Sequence, residues 1–347
     1  MIFFHRRVAH KISTDHLLLL LALIPVVLFL AYSVSMRDYS VGTDTKTYSN
    51  IFYDIVGGSE VRYEAGFVLL VNIVGGIVSS DRFFFGIVFL IVLYGYISSY
   101  RVVAKETDLH VWYGYSLLLG LTLLSSWFLV STTNSIRQGM ALPFLYLSIF
   151  STLNGGYFRS ILFFAISVSF HFSSLLILPF ILLLLLPFNI LAFVYLLSSI
   201  LYFSGGSEFL VKYFSELFDL PLYSFVKNNV AILEKYYGFS LDQYIYTNFW
   251  FFVGYALVIF DFVDSGKRKV LKDILSVYMI LCLPYFSLGF GGVSNRYAML
   301  AWAFVPLLQT FLILSFSVSK RVKSFLSFLV LVMGVFFYFL KTRGIFY

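Results

Sequence analysis

His171 lies within one of the most apolar runs of the chain, Ile161 to Pro179, and Arg137 with Gln138 opens another, from Asn134 to Ala141 and beyond. A titratable ring and a permanent charge at bilayer depth are costly, so they usually face a protein-lined cavity rather than lipid. The planar fork of arginine binds phosphate bidentately and stays charged at reduced dielectric. A histidine or carboxylate nearby can accept the proton of an attacking hydroxyl. Groups of the same kind recur along the chain. A polar segment carries Arg37, Asp44 and Tyr48, then Glu64, and a glycine-rich stretch from Ser287 to Tyr297 carries Arg296. Two arginines at the ends of spans suit a diphosphate leaving group.

Each of these residues also has a plainer reading. Arg137 and Arg296 at helix entrances can snorkel to headgroups. His171 alone can be a packed, hydrogen-bonded core residue, and Asp44 and Glu64 can be solvated loop acids. Glycines 289, 291 and 292 can form a flexible turn, or let backbone amides approach an anion. Against the plain reading, Asn134, Arg137 and Gln138 form a polar patch on one helical face. No Gly-x-Ser-x-Gly elbow, His-Glu-x-x-His helix or aspartate-rich box occurs, so proteolysis and metal-dependent hydrolysis lack support. No Cys/His cluster has zinc spacing, and one cysteine, Cys282, makes no internal disulfide. Neither a metal nor a cofactor is expected.

The elements that position these groups are membrane helices. The chain has 347 residues, is 60% hydrophobic and 12% charged, and has a mean hydropathy of +0.91. Several runs approach or exceed the roughly 18–20 residues that cross a bilayer. The expected fold is all-α, a polytopic integral membrane protein with about 11 transmembrane helices, in a range of about 9–13. Apolar runs near 16–34, 82–100, 111–131, 137–153, 158–171, 173–187, 188–203, 247–264, 270–288, 296–317 and 323–341 supply the spans. A β-barrel is excluded, because barrel strands alternate apolar and polar residues in segments of about ten. The 21% aromatic content reads as interface belts, with an aromatic-lined groove as the alternative. The net charge of +7 sits mostly at helix ends, which membrane anchoring explains, so nucleic acid is not an expected partner.

The chain reads as one membrane-embedded domain over 1–347, with its first apolar segment an uncleaved span. The densest basic clusters, at His5-Arg6-Arg7 with Lys11, at Lys267-Arg268-Lys269 with Lys272, and at Lys320-Arg321 with Lys323, are expected in the cytoplasm. The polar segments 35–81 and 204–246 then become extracytoplasmic loops. Glu64 to Val78 is short and contains Asn72, Gly75 and Gly76, so it reads as a re-entrant or interfacial helix. Ser173-Ser174 offers a helix start after His171. That arrangement brings Arg137 and His171 to the outer face. If Glu64 to Val78 crossed the membrane instead, Arg137 would be cytoplasmic.

Five short patterns occur in order: Val41-Gly-Thr-Asp-x-x-x-Tyr48, Tyr63-Glu-x-Gly-Phe67, Ile136-Arg-Gln-Gly-Met-Ala141, Phe170-His-x-Ser-Ser-Leu175 and Leu178-Pro179. Their order and spacing resemble the EpsG/Wzy-like family of bacterial polysaccharide polymerases. The match is densest over residues 37–180 and then rests on hydropathy and Asn295-Arg296-Tyr297. Ala65 stands where proline is expected, and Ser174 where alanine is usual. The resemblance implies an enzyme of the bacterial cytoplasmic membrane that acts at its outer face. It would join oligosaccharide repeat units carried on undecaprenyl diphosphate, alongside a flippase and a chain-length regulator. Arg137, with Arg296, would then bind the donor diphosphate. His171, or else Glu64 or Asp44, would orient or deprotonate the acceptor hydroxyl. Gln138, Asn134, Arg37, Tyr48 and Ser173 complete the candidate binding groups. A ligase or other lipid-linked glycosyltransferase, a flippase for the same lipids, and a glycan acyltransferase are the rival readings. Paired hydropathy halves would favour the flippase, and none is visible.

Overall fold

The computed structural model describes residues 14–105, 107, 109, 111–228, 239–260, 262–263, 265–292 and 294–345. The basic cluster at His5 to Lys11 lies outside these. The described chain is all-helical, with one isolated bridge between Val263 and Phe316. The described residues divide into two compact units, those within 14–174 together with 318–345, and those within 175–317.

The first unit begins with α1 (Thr14–Ser35), α2 (Thr45–Val56), α3 (Ala65–Ile77) and α4 (Asp81–Ala104). It continues with α5 (Trp112–Leu124), α6 (Ser126–Thr133), α7 (Ile136–Leu153) and α8 (Tyr157–Phe170). The 13 residues of α3 span about 20 Å at 1.5 Å each, short of the roughly 30 Å hydrocarbon core. Between α5 and α6 the chain bends by 70° at Ser125, whose hydroxyl accepts the Phe128 amide and so starts the second helix. A left-handed Gly155 turns α7 back on itself as α8. Hydroxyls then lock that hairpin. Ser148 donates to the Ser160 carbonyl at 2.9 Å, and Ser167 to the Ala141 carbonyl at 2.8 Å. An antiparallel hairpin brings the start of α7 and the end of α8 to one level. Arg137 and His171 stand at those two positions.

In the second unit come α9 (Leu178–Ile181), α10 (Phe188–Phe203), α11 (Gly206–Leu217), α12 (Leu222–Asn228) and α13 (Leu241–Ile259). It closes with α14 (Ser265–Leu288), α15 (Ser294–Trp302) and α16 (Val305–Ser315). Its aromatics are not only a belt. Tyr195 stacks on Phe251 at 4.2 Å, Tyr278 donates to the Thr247 carbonyl at 2.8 Å, and the Trp302 indole donates to the Thr247 hydroxyl at 2.8 Å. Buried tyrosine and tryptophan thus keep their polar tips satisfied inside the helix packing.

The chain returns to the first unit as α17 (Lys320–Thr342), which lies against α5. A Cβ on Gly334 would come within 2.5 Å of the Gly120 carbonyl, so the two backbones touch where only glycine fits. Near its end, Thr342 is hydrogen-bonded to Ser33 of α1 at 2.8 Å.

Among the described residues, α4, the segment Gly266–Leu288, the segment Ser294–Ser315 and α17 are long and apolar enough to cross a membrane. The bent pairs α5–α6 and α10–α11 raise the count to six. The hydropathy reading counts more because several apolar runs fold as shorter pieces. The run after His171, for example, forms a 3₁₀ turn at Phe172–Ile177, the four residues of α9 and a second 3₁₀ turn at Leu182–Leu185.

Candidate functional site

Three helix ends of the first unit meet at Glu64. Its carboxylate accepts from Arg137 Nη1 at 2.5 Å and lies 2.7 Å from His171 Nδ1. The acid side chain is 5% exposed, whereas the arginine and histidine are 25% and 20% exposed. The acid is therefore the buried centre, and the two bases look outward from it.

Glycines of the sequence patterns allow this convergence. Glu64 occupies the N-cap of α3 with an extended backbone, and its side chain makes no cap hydrogen bond. A Cβ at Gly66 would fall 2.8 Å from the Ser169 carbonyl, so its absence lets α3 start directly against the end of α8. A Cβ at Gly139 would fall 2.1 Å from the Ser131 carbonyl, which seats the first turn of α7 on α6. Gly42 has a φ of +85°, and a Cβ there would meet Asn134 Oδ1 at 2.3 Å. His171 ends α8 in extended conformation, its amide bonded to the Ser167 carbonyl at 3.0 Å. The Ser167 hydroxyl also pairs with Ser174 at 2.7 Å, fixing the chain on both sides of the imidazole.

Arg137 is held from three sides. Besides Glu64, its guanidinium lies 4.8 Å from the centre of the Tyr63 ring and donates toward the Tyr48 phenol oxygen. Its Nε is buried without a hydrogen-bond partner, as are Asn134 Oδ1 and Ser173 Oγ. Each of these atoms keeps unused hydrogen-bonding capacity. Burial pushes the Glu64 carboxyl up, but the hydrogen bond from His171, its own backbone amide and the Arg137 charge together hold it down at about 2. It is a carboxylate at neutral pH. Burial pushes the Tyr48 phenol up, against the nearby Arg137 charge, so it is a neutral hydroxyl.

The remaining candidates fall in different places. Asp44 stands at the N-cap position of α2 without a side-chain cap hydrogen bond, half-buried, one turn before Tyr48, where its charge bears on that phenol. Gln138 is buried at 3% exposure on α7. Arg37 is fully buried. Its Nε donates to the Thr45 hydroxyl at 3.1 Å, its Nη1 to the Val34 carbonyl at 2.9 Å, and its guanidinium covers Phe85. Those bonds make it a clamp between α1 and α2. Arg296 is exposed in the first turn of α15, within the second unit. The glycine-rich stretch before it is not an open turn. Cβ atoms at Gly289 and Gly291 would lie 2.4 and 2.7 Å from the Tyr285 and Val226 carbonyls.

Sequence reasoning missed Tyr63 as the ring under Arg137, although it directly precedes Glu64. It also missed a second polar knot beside Arg37. Asp81 accepts from the Tyr39 and Tyr53 hydroxyls at 2.8 and 3.2 Å, and Arg82 donates to the Arg37 carbonyl. Among the described residues no group of three or more His, Cys, Asp or Glu side chains is placed to hold a metal ion.

The knot sits at one end of α17. Thr342 bonds Ser33, a Cβ at Gly344 would touch Val41 at 3.4 Å, and the neighbouring Gly42 packs on Asn134. The 23 residues of α17 put its Lys320-Arg321 start about 34 Å away.

A helical chain with several candidate spans and a charged cluster at the ends of short helices defines a multi-pass membrane protein. Over residues 20–346, nearly its whole length, the chain matches the EpsG family model, and it belongs to that family. Membership supports a membrane role of glycan-polymerase type in polysaccharide biosynthesis. No match is found among curated proteins or among solved structures.

Proposed function

We propose that the protein polymerises oligosaccharide repeat units carried on undecaprenyl diphosphate, at the outer face of the bacterial cytoplasmic membrane. The observation that carries this reading is the Arg137–Glu64–His171 cluster: a fixed cation and a proton acceptor joined through one carboxylate. The acceptor sugar hydroxyl of the incoming lipid-linked unit attacks the anomeric carbon of the growing chain. The bond from that carbon to the donor diphosphate breaks, and the chain passes to the acceptor. Its proton goes to His171, and undecaprenyl diphosphate leaves with the bonding electrons. Arg137 stabilises the charge that develops on the diphosphate. Tyr48, Asn134 and Ser173 supply hydrogen bonds around the pair. The outer-face assignment is supported by the length of α17: its far end packs through Ser33, Val41 and Gly42 toward Asn134, three residues before Arg137, while its start carries Lys320-Arg321, a basic end of the kind the charge rule assigns to the cytoplasm.

The test is elongation of lipid-linked oligosaccharide extracted from cells lacking the gene. Purified protein in lipid discs should turn it into a ladder, and Arg137→Ala should lower the rate by about 10²–10³-fold, as for loss of one oxyanion donor. A normal ladder from Arg137→Ala at normal protein level removes the arginine from the mechanism. A product exactly one addition long with every acceptor favours a ligase or single-step transferase. Cys282 is buried, so Asp44→Cys can be labelled selectively, and labelling from the cytoplasmic side only would overturn the topology.

A further inference from the structure

We infer that Glu64 is a positioning residue: it holds His171 in the tautomer protonated on Nδ1, leaving Nε2 as the atom that takes the acceptor proton, while its second oxygen holds Arg137. The kinetic part of this inference rests on the polymerase reading above; the tautomer part does not.

The geometry leaves little choice of roles. An ionised carboxylate has only acceptor sites. Its Oε2 is occupied by Arg137 Nη1 at 2.5 Å, and its Oε1 lies 2.7 Å from His171 Nδ1. Two hydrogen-bonded atoms at that separation need a proton between them. The carboxyl does not carry it, since its other oxygen is paired at 2.5 Å with the permanently charged Arg137 guanidinium, and the group is held well below the usual carboxylate range despite its burial. The proton is therefore on Nδ1. In a neutral imidazole the other nitrogen is then bare and basic. Glu64 itself is 5% exposed and already accepts from two side chains, so it is poorly placed to meet a sugar hydroxyl. His171 is 20% exposed and follows the last turn of α8, so its ring has an open side.

The same carboxylate also explains why Arg137 is held rather than mobile. One oxygen for each partner, with the Tyr63 ring beneath the guanidinium, fixes the arginine and the histidine relative to each other. A donor diphosphate and an acceptor hydroxyl bound to them are then held at a set separation, which is where positioning lowers a barrier. Removing the carboxylate should therefore damage turnover more than donor binding. Arg137, freed of its partner, remains available to the diphosphate.

The experiment has two arms. In the first, nitrogen resonances of ¹⁵N-histidine in the full-length protein are recorded at mildly alkaline pH, with His171 assigned by its loss in His171→Gln. A proton on Nδ1 in the wild type is expected, and its movement to Nε2 or into a mixture in Glu64→Ala. A wild-type proton on Nε2 overturns the inference, and that reading does not depend on Glu64→Ala folding. In the second arm, the extracted lipid-linked oligosaccharide is elongated by wild type and Glu64→Ala. The expected result is a fall in kcat on the order of 10²–10⁴-fold with KM unchanged or lower. An unchanged kcat, or a loss confined to KM, overturns the positioning role. Failure of the wild type to elongate the extract overturns the polymerase reading instead and leaves the tautomer result to decide the role of Glu64.

Discussion

Gly66→Ala is the sharpest test of how the site is assembled, because it touches no functional group. The new Cβ would stand 2.3 Å from the Ser169 hydroxyl, 2.8 Å from its carbonyl oxygen and 2.9 Å from its Cβ. The hydroxyl can rotate away, but the carbonyl is backbone and cannot. Ordinary contact begins near 3.4 Å, so the start of α3 has to retreat from α8 by about 0.6 Å. Glu64 lies two residues before Gly66 and retreats with it. Its 2.7 Å contact to His171 then lengthens to about 3.3 Å, beyond the usual limit of roughly 3.2 Å for a hydrogen bond. A misplacement of about 1 Å can cost about 10²-fold in rate, so a loss of about 10- to 10²-fold is expected, or about 1.4–2.7 kcal/mol. Overpacking should also lower stability by about 1–3 kcal/mol. Chain-length analysis of the polymer, normalised to protein in the membrane, reads the first effect, and thermal unfolding in detergent reads the second. Gly76→Ala in the same helix is the control, since no atom lies within 4 Å of its new Cβ. It should leave the polymer unchanged. If Gly66→Ala makes full-length polymer at normal rate, contact between α3 and α8 does not set the geometry of Glu64.

Three further outcomes follow from other contacts. The Glu64 carboxyl is depressed from 4.5 to about 2 on folding, so its stabilisation is present above pH 4.5 and is lost as pH falls toward 2. The melting temperature of the wild type should drop across that window, and that of Glu64→Gln should drop less. Arg37→Met should reduce folded protein by removing the bonds to Thr45 and Val34, at about 1–3 kcal/mol, while the protein that survives should keep its chain length; normal stability with short chains would make Arg37 a substrate ligand. Ser174→Ala should cost no more than about 1 kcal/mol in thermal unfolding, because Ser167 keeps its bond to the Ala141 carbonyl.

The all-helical membrane fold was legible because 60% apolar composition admits few other solutions. Span counting was less legible. Hydropathy registers apolar runs whether they fold as one straight helix, as at α17, or break, as at Ser125 and after His171. The candidate residues were readable from type alone, since charge in an apolar run is conspicuous. Their partners were not. Glu64 and Arg137 are 73 positions apart, and Glu64 and His171 are 107 apart. Nothing local in a sequence sets such a pairing. Arg37 shows the converse difficulty, because an arginine that clamps two helices looks the same in sequence as one that waits for phosphate. The signal that did exist lay in the glycines. Gly42, Gly66 and Gly139 each stand within two residues of a polar side chain of the cluster or pack on one directly, and each permits one close approach.

The helix ends also explain why the cluster is balanced as it is. An acid at the start of a helix is favoured by the helix dipole, and Glu64 has that place on α3. A cation in the first turn is disfavoured by about 0.3–1 kcal/mol, and Arg137 has that place on α7. The arginine is therefore set against its own helix, with positive charge and aligned amides pointing the same way. Such an arrangement concentrates positive potential at one spot, and Glu64 offsets it from a different helix. A carboxylate brings one negative charge to that spot. On the polymerase reading, the donor diphosphate brings more negative charge to the same spot. On that reading the carboxylate keeps holding His171 while Arg137 also serves the donor.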